Sequence, residues 1–68
     1  MFSKREIFRA GYDEAKKWAR FFDNHEKSNE ELHQEILDAT GIDPEKADPN
    51  YVDGIIRGIS DYMEKQAA

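Results

Sequence analysis

The sequence predicts an all-α fold, a small three-helix bundle with a short extra helical turn between helices two and three. Three observations carry this reading: two Ser-x-x-Glu boxes, two Asp-Pro pairs, and three stretches in which apolar residues recur every three or four positions. One domain, residues 1–68, is the ceiling on length, since domains run roughly 100 to 150 residues and chains near 60 bury only about 60% of their unfolded surface. The chain has no cysteine, so neither a disulfide framework nor a zinc knuckle adds stability, and folding must rest on close helix packing or self-association. Hydrophobic residues make up 38% and charged residues 37%, polar for a globule, yet eight aromatics exceed what a disordered tail carries.

Helix one is expected over about 4–23. Ser3 and Glu6 form the first box, and Phe2 is placed to pack on Ile7 as a hydrophobic staple. At about 100° per residue, Ile7, Phe8, Gly11, Tyr12, Ala15, Trp18, Ala19 and Phe22 share one arc. It covers about half the cylinder, wide enough to touch two neighbouring helices. Helix two, about 29–40, opens on the box of Ser28 and Glu31, with Leu32, Ile36, Leu37 and Ala39 as its apolar positions. Gly41 closes it in a left-handed conformation, and Ile42 folds back on Leu37. Asp43-Pro44 and Asp48-Pro49 each read as an N-cap followed by Pro at the first helical position. The spacing predicts a single turn at the first pair and the start of helix three, about 49–65, at the second. Tyr51, Val52, Ile55, Ile56, Ile59, Tyr62 and Met63 form its apolar arc.

Signals for chemistry are missing. His25 and His33 lie too far apart to share a metal on one helix, and no His-Glu-x-x-His pattern exists, so no metal or cofactor is expected. His33 falls inside the arc of helix two and reads as a core-edge histidine bonded to backbone; His25 reads as a solvated loop residue. The run from Asp48 to Gly54 resembles a calcium loop in outline, but its Gly is one place late, Pro49 occupies the second position, and Ile59 stands where the bidentate Glu belongs. Gly11, Gly41, Gly54 and Gly58 are scattered and make no phosphate cradle, and of three serines two are caps. The expectation is a protein that is not an enzyme. No apolar run approaches a membrane span or a signal-peptide core, so the sequence predicts a soluble cytoplasmic protein with no membrane partner.

Charge is unevenly spread. The net value is −5, but residues 1–23 carry six bases and four acids, and residues 24–68 carry four bases and eleven acids. Arg5, Arg9, Lys16 and Arg20 form a basic stripe beside the apolar arc of helix one; it suits a phosphate backbone, or it is ordinary solvated pairing with Glu6 and Asp13. Glu31, Glu35 and Asp38 line one side of helix two as an acidic face suited to steering a basic partner, or are simply a soluble face. Gly54 and Gly58 form a lane on helix three that either packs against Gly11 within the chain or makes a docking groove for another. Trp18, Phe21 and Phe22 cluster at the end of helix one, and Phe21 projects off the main arc; with Arg20 and the surrounding acids this has the composition of an interface, although Phe21 can instead pack under the loop at 24–27.

The function expected is therefore that of a small, acidic, non-enzymatic regulator or inhibitor that binds another protein through Trp18, Phe21 and Arg20, with Glu31, Glu35 and Asp38 giving orientation. In size and composition the chain resembles the small regulators and inhibitors that phages and plasmids encode, a likeness of type carried by no motif. A homodimer through the wide arc of helix one and the Gly54/Gly58 lane is compatible. The alternative is nucleic-acid binding through Arg5, Arg9, Lys16 and Arg20.

Overall fold

The computed structural model describes residues 2–23 and 26–67, so His25 lies outside the described residues. The chain forms three helices, α1 (Lys4–Phe22), α2 (Asn29–Thr40) and α3 (Pro49–Ala67). No strand occurs among the described residues, and the architecture is an all-α bundle. α1 stops one residue before the expected bound because the chain turns extended at Asp23, and α3 runs two residues past it.

Local chemistry explains the ends. Ser3 Oγ accepts the Glu6 N–H at 3.2 Å. At α2 the box is reciprocal: Ser28 Oγ accepts the Glu31 N–H at 3.2 Å, and the Glu31 carboxylate accepts the Ser28 N–H at 3.4 Å. Gly41 takes φ 72°, and the N–H groups of Gly41 and Ile42 both donate to the Leu37 carbonyl, at 2.9 and 3.2 Å. Asp43 Oδ1 accepts the Glu45 N–H at 3.0 Å while the Asp43 carbonyl accepts from Lys46 and Ala47, which makes the extra turn. Asp48 Oδ1 accepts the Asn50 N–H at 2.8 Å and opens α3.

α1 and α3 run parallel and very close. Phe8 lies opposite Gly54, Tyr12 and Ala15 opposite Gly58, and further along Tyr62 reaches Asp23, so the two helices advance together. Cβ atoms are absent where the backbones meet: one added at Gly54 would stand 2.1 Å from the Phe8 carbonyl oxygen, and one at Gly11 would stand 2.2 Å from that of Tyr51. The Gly54/Gly58 lane is thus filled by α1, and the docking groove and dimer contact expected along it are closed. α2 returns between the parallel pair on one side only. Its Leu32, Ile36 and Leu37 join Ala15 and Ala19 of α1 and Ile55, Ile59 and Tyr62 of α3 in the core. Leu32, Ile36, Ile55 and Ile59 are fully enclosed, and each such side chain contributes about 1.5 to 3 kcal/mol of transfer free energy.

Four residues are less enclosed or less bonded than their sequence positions predict. Phe2 remains 74% exposed, so a staple on Ile7 covers little of its ring. Ile56 is 47% exposed and Ala39 is exposed, since each arc is broader than the neighbours available to cover it. His33 is half-buried, but its Nε2 has no hydrogen-bond partner.

Candidate functional site

Three aromatic residues outside the fully buried core, Trp18, Phe21 and Phe22, gather at the C-terminal end of α1. Trp18 and Phe22, four residues apart, stack at 5.6 Å with planes 16° apart and lean on the core. Phe21 meets both edge-on, 6.1 Å from Trp18 and 5.2 Å from Phe22, and is 77% exposed. It does not pack under the following connection; it stands out as a knob on a two-ring base. Spacing alone produces this, because position 21 stands about 60° around the helix from Trp18 and about 100° from Phe22, off the core-facing arc yet within reach of both rings.

Polar groups hold the base in place. Trp18 Nε1 donates to Glu14 at 2.8 Å, and the ammonium of Lys17 sits 5.7 Å from the Trp18 ring centroid. Lys27 lies 5.8 Å from the Phe22 centroid and forms an ion pair with Glu35. One side chain thereby joins the aromatic patch to the acidic face of α2, and no spacing rule in the sequence singles Lys27 out. Along that face Glu31 is engaged in the Ser28 box, and Asp38 accepts the Gln34 side-chain amide at 3.0 Å. Arg20, the last-turn base of α1, is exposed and lies close enough to Tyr62 to act on its hydroxyl. Burial and the hydrogen bond to Asp23 raise the Tyr62 pKa, and Arg20 opposes them.

The basic stripe divides. Arg9 pairs with Asp13 at 3.2 Å, both well exposed, and Arg9 and Lys16 flank the Tyr12 ring at 6.0 and 5.2 Å from its centroid. Tyr12 also stacks on Phe8 at 6.3 Å. Its hydroxyl donates to Asp61 at 2.6 Å, and Asp61 pairs in turn with Arg57 at 3.4 Å. The Asp61 hydrogen bond is the main reason the Tyr12 pKa is raised. Arg5 lines the same open depression as Arg9 and Lys16, whereas Arg20 is at the other end of α1 with the aromatic patch. The structure therefore brings three of the four stripe residues together, among carboxylates.

Among the described residues no group of three or more His, Cys, Asp or Glu side chains is arranged to hold a metal, and no helix is long and apolar enough to cross a membrane. Comparison with protein families, with curated proteins and with solved structures yields no match.

Proposed function

We propose that this chain is a small acidic regulator or inhibitor, of the kind phages and plasmids encode, that acts without catalysis by binding another protein through the Trp18–Phe21–Phe22 patch and the bordering acidic face of α2. The observation that carries it is the exposure of Phe21, 77%, on two rings that are themselves fixed by Glu14, Lys17 and Lys27. A preorganised aromatic knob with a charged rim matches the anchors that dominate protein interfaces, because its burial removes a large apolar area while little rotamer freedom is left to lose. The molecule also exposes 4953 Å², against about 4,400 Å² for a typical monomer of this mass, which fits a chain with surface left for a partner.

Capture of host proteins by the tagged chain, with Phe21→Asp as the control, tests this. Phe21→Asp should cut retention of the captured protein at least about tenfold while far-UV circular dichroism stays unchanged, since the site is exposed and helical. Charge reversal at Glu31, Glu35 and Asp38 should slow association more than it changes dissociation. Equal capture by wild type and Phe21→Asp removes the patch from the mechanism. Retention on nucleic acid at low salt, lost in Arg9→Glu, would favour phosphate binding by the stripe instead.

A further inference from the structure

We propose that α2 is a lid: it opens and unfolds as one unit while α1 and α3 stay paired, so the molecule exchanges between a closed form and an open one. The proposal concerns the fold and stands whether or not the Phe21 patch binds a partner. α1 and α3 meet at backbone contact along Gly11, Gly54 and Gly58, and long-range hydrogen bonds fasten them, Tyr12 to Asp61 at 2.6 Å and Tyr62 to Asp23 at 3.1 Å. Backbone contact between α2 and either neighbour is far less extensive. Among the described residues no side chain of α2 hydrogen-bonds to α1 or α3: Glu31, Gln34, Asp38 and Thr40 bond within α2 or to its cap, and Glu35 pairs with Lys27 of the preceding connection.

What holds α2 down is therefore apolar: Leu32 and Ile36, fully enclosed, and the buried Leu37. Against this, closing α2 strips water from His33 Nε2, which has no partner in the closed form and regains one from solvent in the open form. The helix cannot persist alone, because at 12 residues it has the length at which isolated helices are marginal in water. Its C-terminal connection leaves it free to move. Gly41 is left-handed, Gly41 and Ile42 bond back to Leu37, and Asp43 bonds forward to Glu45, Lys46 and Ala47, so the hydrogen bonds shown by this connection are local. Units that open below the global unfolding free energy are those with few buried apolar contacts. Lys27 is the latch: ion-paired to Glu35 and 5.8 Å from the centroid of the Phe22 ring, it joins the lid to the end of α1. Opening carries Glu31, Glu35 and Asp38 away from Trp18, Phe21 and Phe22, so the acidic border of the aromatic patch belongs to the closed form alone.

Amide hydrogen exchange of the full, isotope-labelled chain, followed by NMR in the regime where it reports equilibrium opening, tests the proposal. The slowest amides of α2 should exchange as a group at least about tenfold faster than the slowest of α1 and α3, with a weaker dependence on added denaturant because opening exposes less surface than unfolding. Tyr12→Phe removes the bond to Asp61, which persists in the open form, so it should speed the slowest α1 and α3 amides about fivefold and leave those of α2 unchanged. Glu35→Gln breaks a contact made only in the closed form, so it should speed all three helices by the same factor. Equal protection of the three helices overturns the lid. So does a Tyr12→Phe variant in which α2 speeds up together with α1 and α3, which is the mark of a single cooperative unit, or an α2 that exchanges more slowly than either neighbour.

Discussion

Replacing Gly54 by alanine tests the close packing of α3 against α1. In an exposed helix interior the change would stabilise by about 1 kcal/mol through helix propensity. Here the new Cβ would lie 2.1 Å from the Phe8 carbonyl oxygen, 2.9 Å from the Tyr12 nitrogen and 3.0 Å from the Phe8 carbonyl carbon. All three are backbone atoms of α1, so no side chain can rotate away, and the helices must separate by about an ångström to restore ordinary contact. Overpacking costs about 1 to 3 kcal/mol where side chains can adjust, and a backbone clash lies at or above the top of that range. The expected net loss is about 2 kcal/mol, from a total of about 3 to 10 kcal/mol for a chain of this length. In thermal unfolding followed by far-UV circular dichroism, the midpoint should fall by about 8 to 16 °C. Gly58→Ala, whose Cβ would stand 2.6 Å from the Tyr12 carbonyl oxygen, should cost less than Gly54→Ala. An unchanged or raised midpoint for Gly54→Ala would refute the close parallel pairing itself.

His33→Leu should stabilise the chain by about 1 kcal/mol, because it removes a buried nitrogen that has no partner and keeps a side chain suited to the core-facing side of α2. The melting midpoint should rise by about 4 to 8 °C, and a fall would show that the imidazole has a partner in solution. Stability should also decline in alkali. Tyr12, chiefly through its hydrogen bond to Asp61, and Tyr51 and Tyr62, chiefly through burial, hold their protons above the usual tyrosine value. As pH rises the unfolded chain loses these protons first, so their contribution is fully present below about pH 10 and disappears as pH climbs through the raised folded values. Chemical denaturation across that range should show the midpoint falling, less steeply in Tyr12→Phe, and a flat profile would contradict the shifts.

What was legible in the sequence is what local chemistry determines. Ser3, Ser28, Gly41, Asp43 and Asp48 act on backbone groups within five residues of themselves, so their spacing alone locates the ends of the helices. Phe21 was legible for the same reason, since three residues past Trp18 a helical position is fixed relative to the arc. Long-range pairing was not. The sequence left Gly54 and Gly58 between an internal and an external partner, and only the register of α1 against α3 decides between them. Tyr12 and Asp61 are 49 positions apart, and neither is a cap or an arc signal for the other. Ile56 shows a different limit: the periodicity gives the apolar width of α3 correctly, but a single 12-residue α2 is too narrow to cover all of it.

These features have one cause. A seam of Gly11, Ala15 and Ala19 against Gly54 and Gly58 brings two helices to backbone contact and leaves no volume between them for large side chains. Among the eight aromatics only Tyr62 is buried in the core; Trp18 and Phe22 lie across its edge, and Phe2 and Phe21 stand in solvent. Had the seam carried leucines, the helix axes would lie farther apart, and a wider core would have room for these rings. The small residues therefore determine where the apolar surface goes as well as how the helices pack. If Gly54→Ala forces the helices apart without unfolding the chain, Phe8 should shift with α1 while Phe21, anchored by Trp18 and Phe22 at the far end of the same helix, keeps its position.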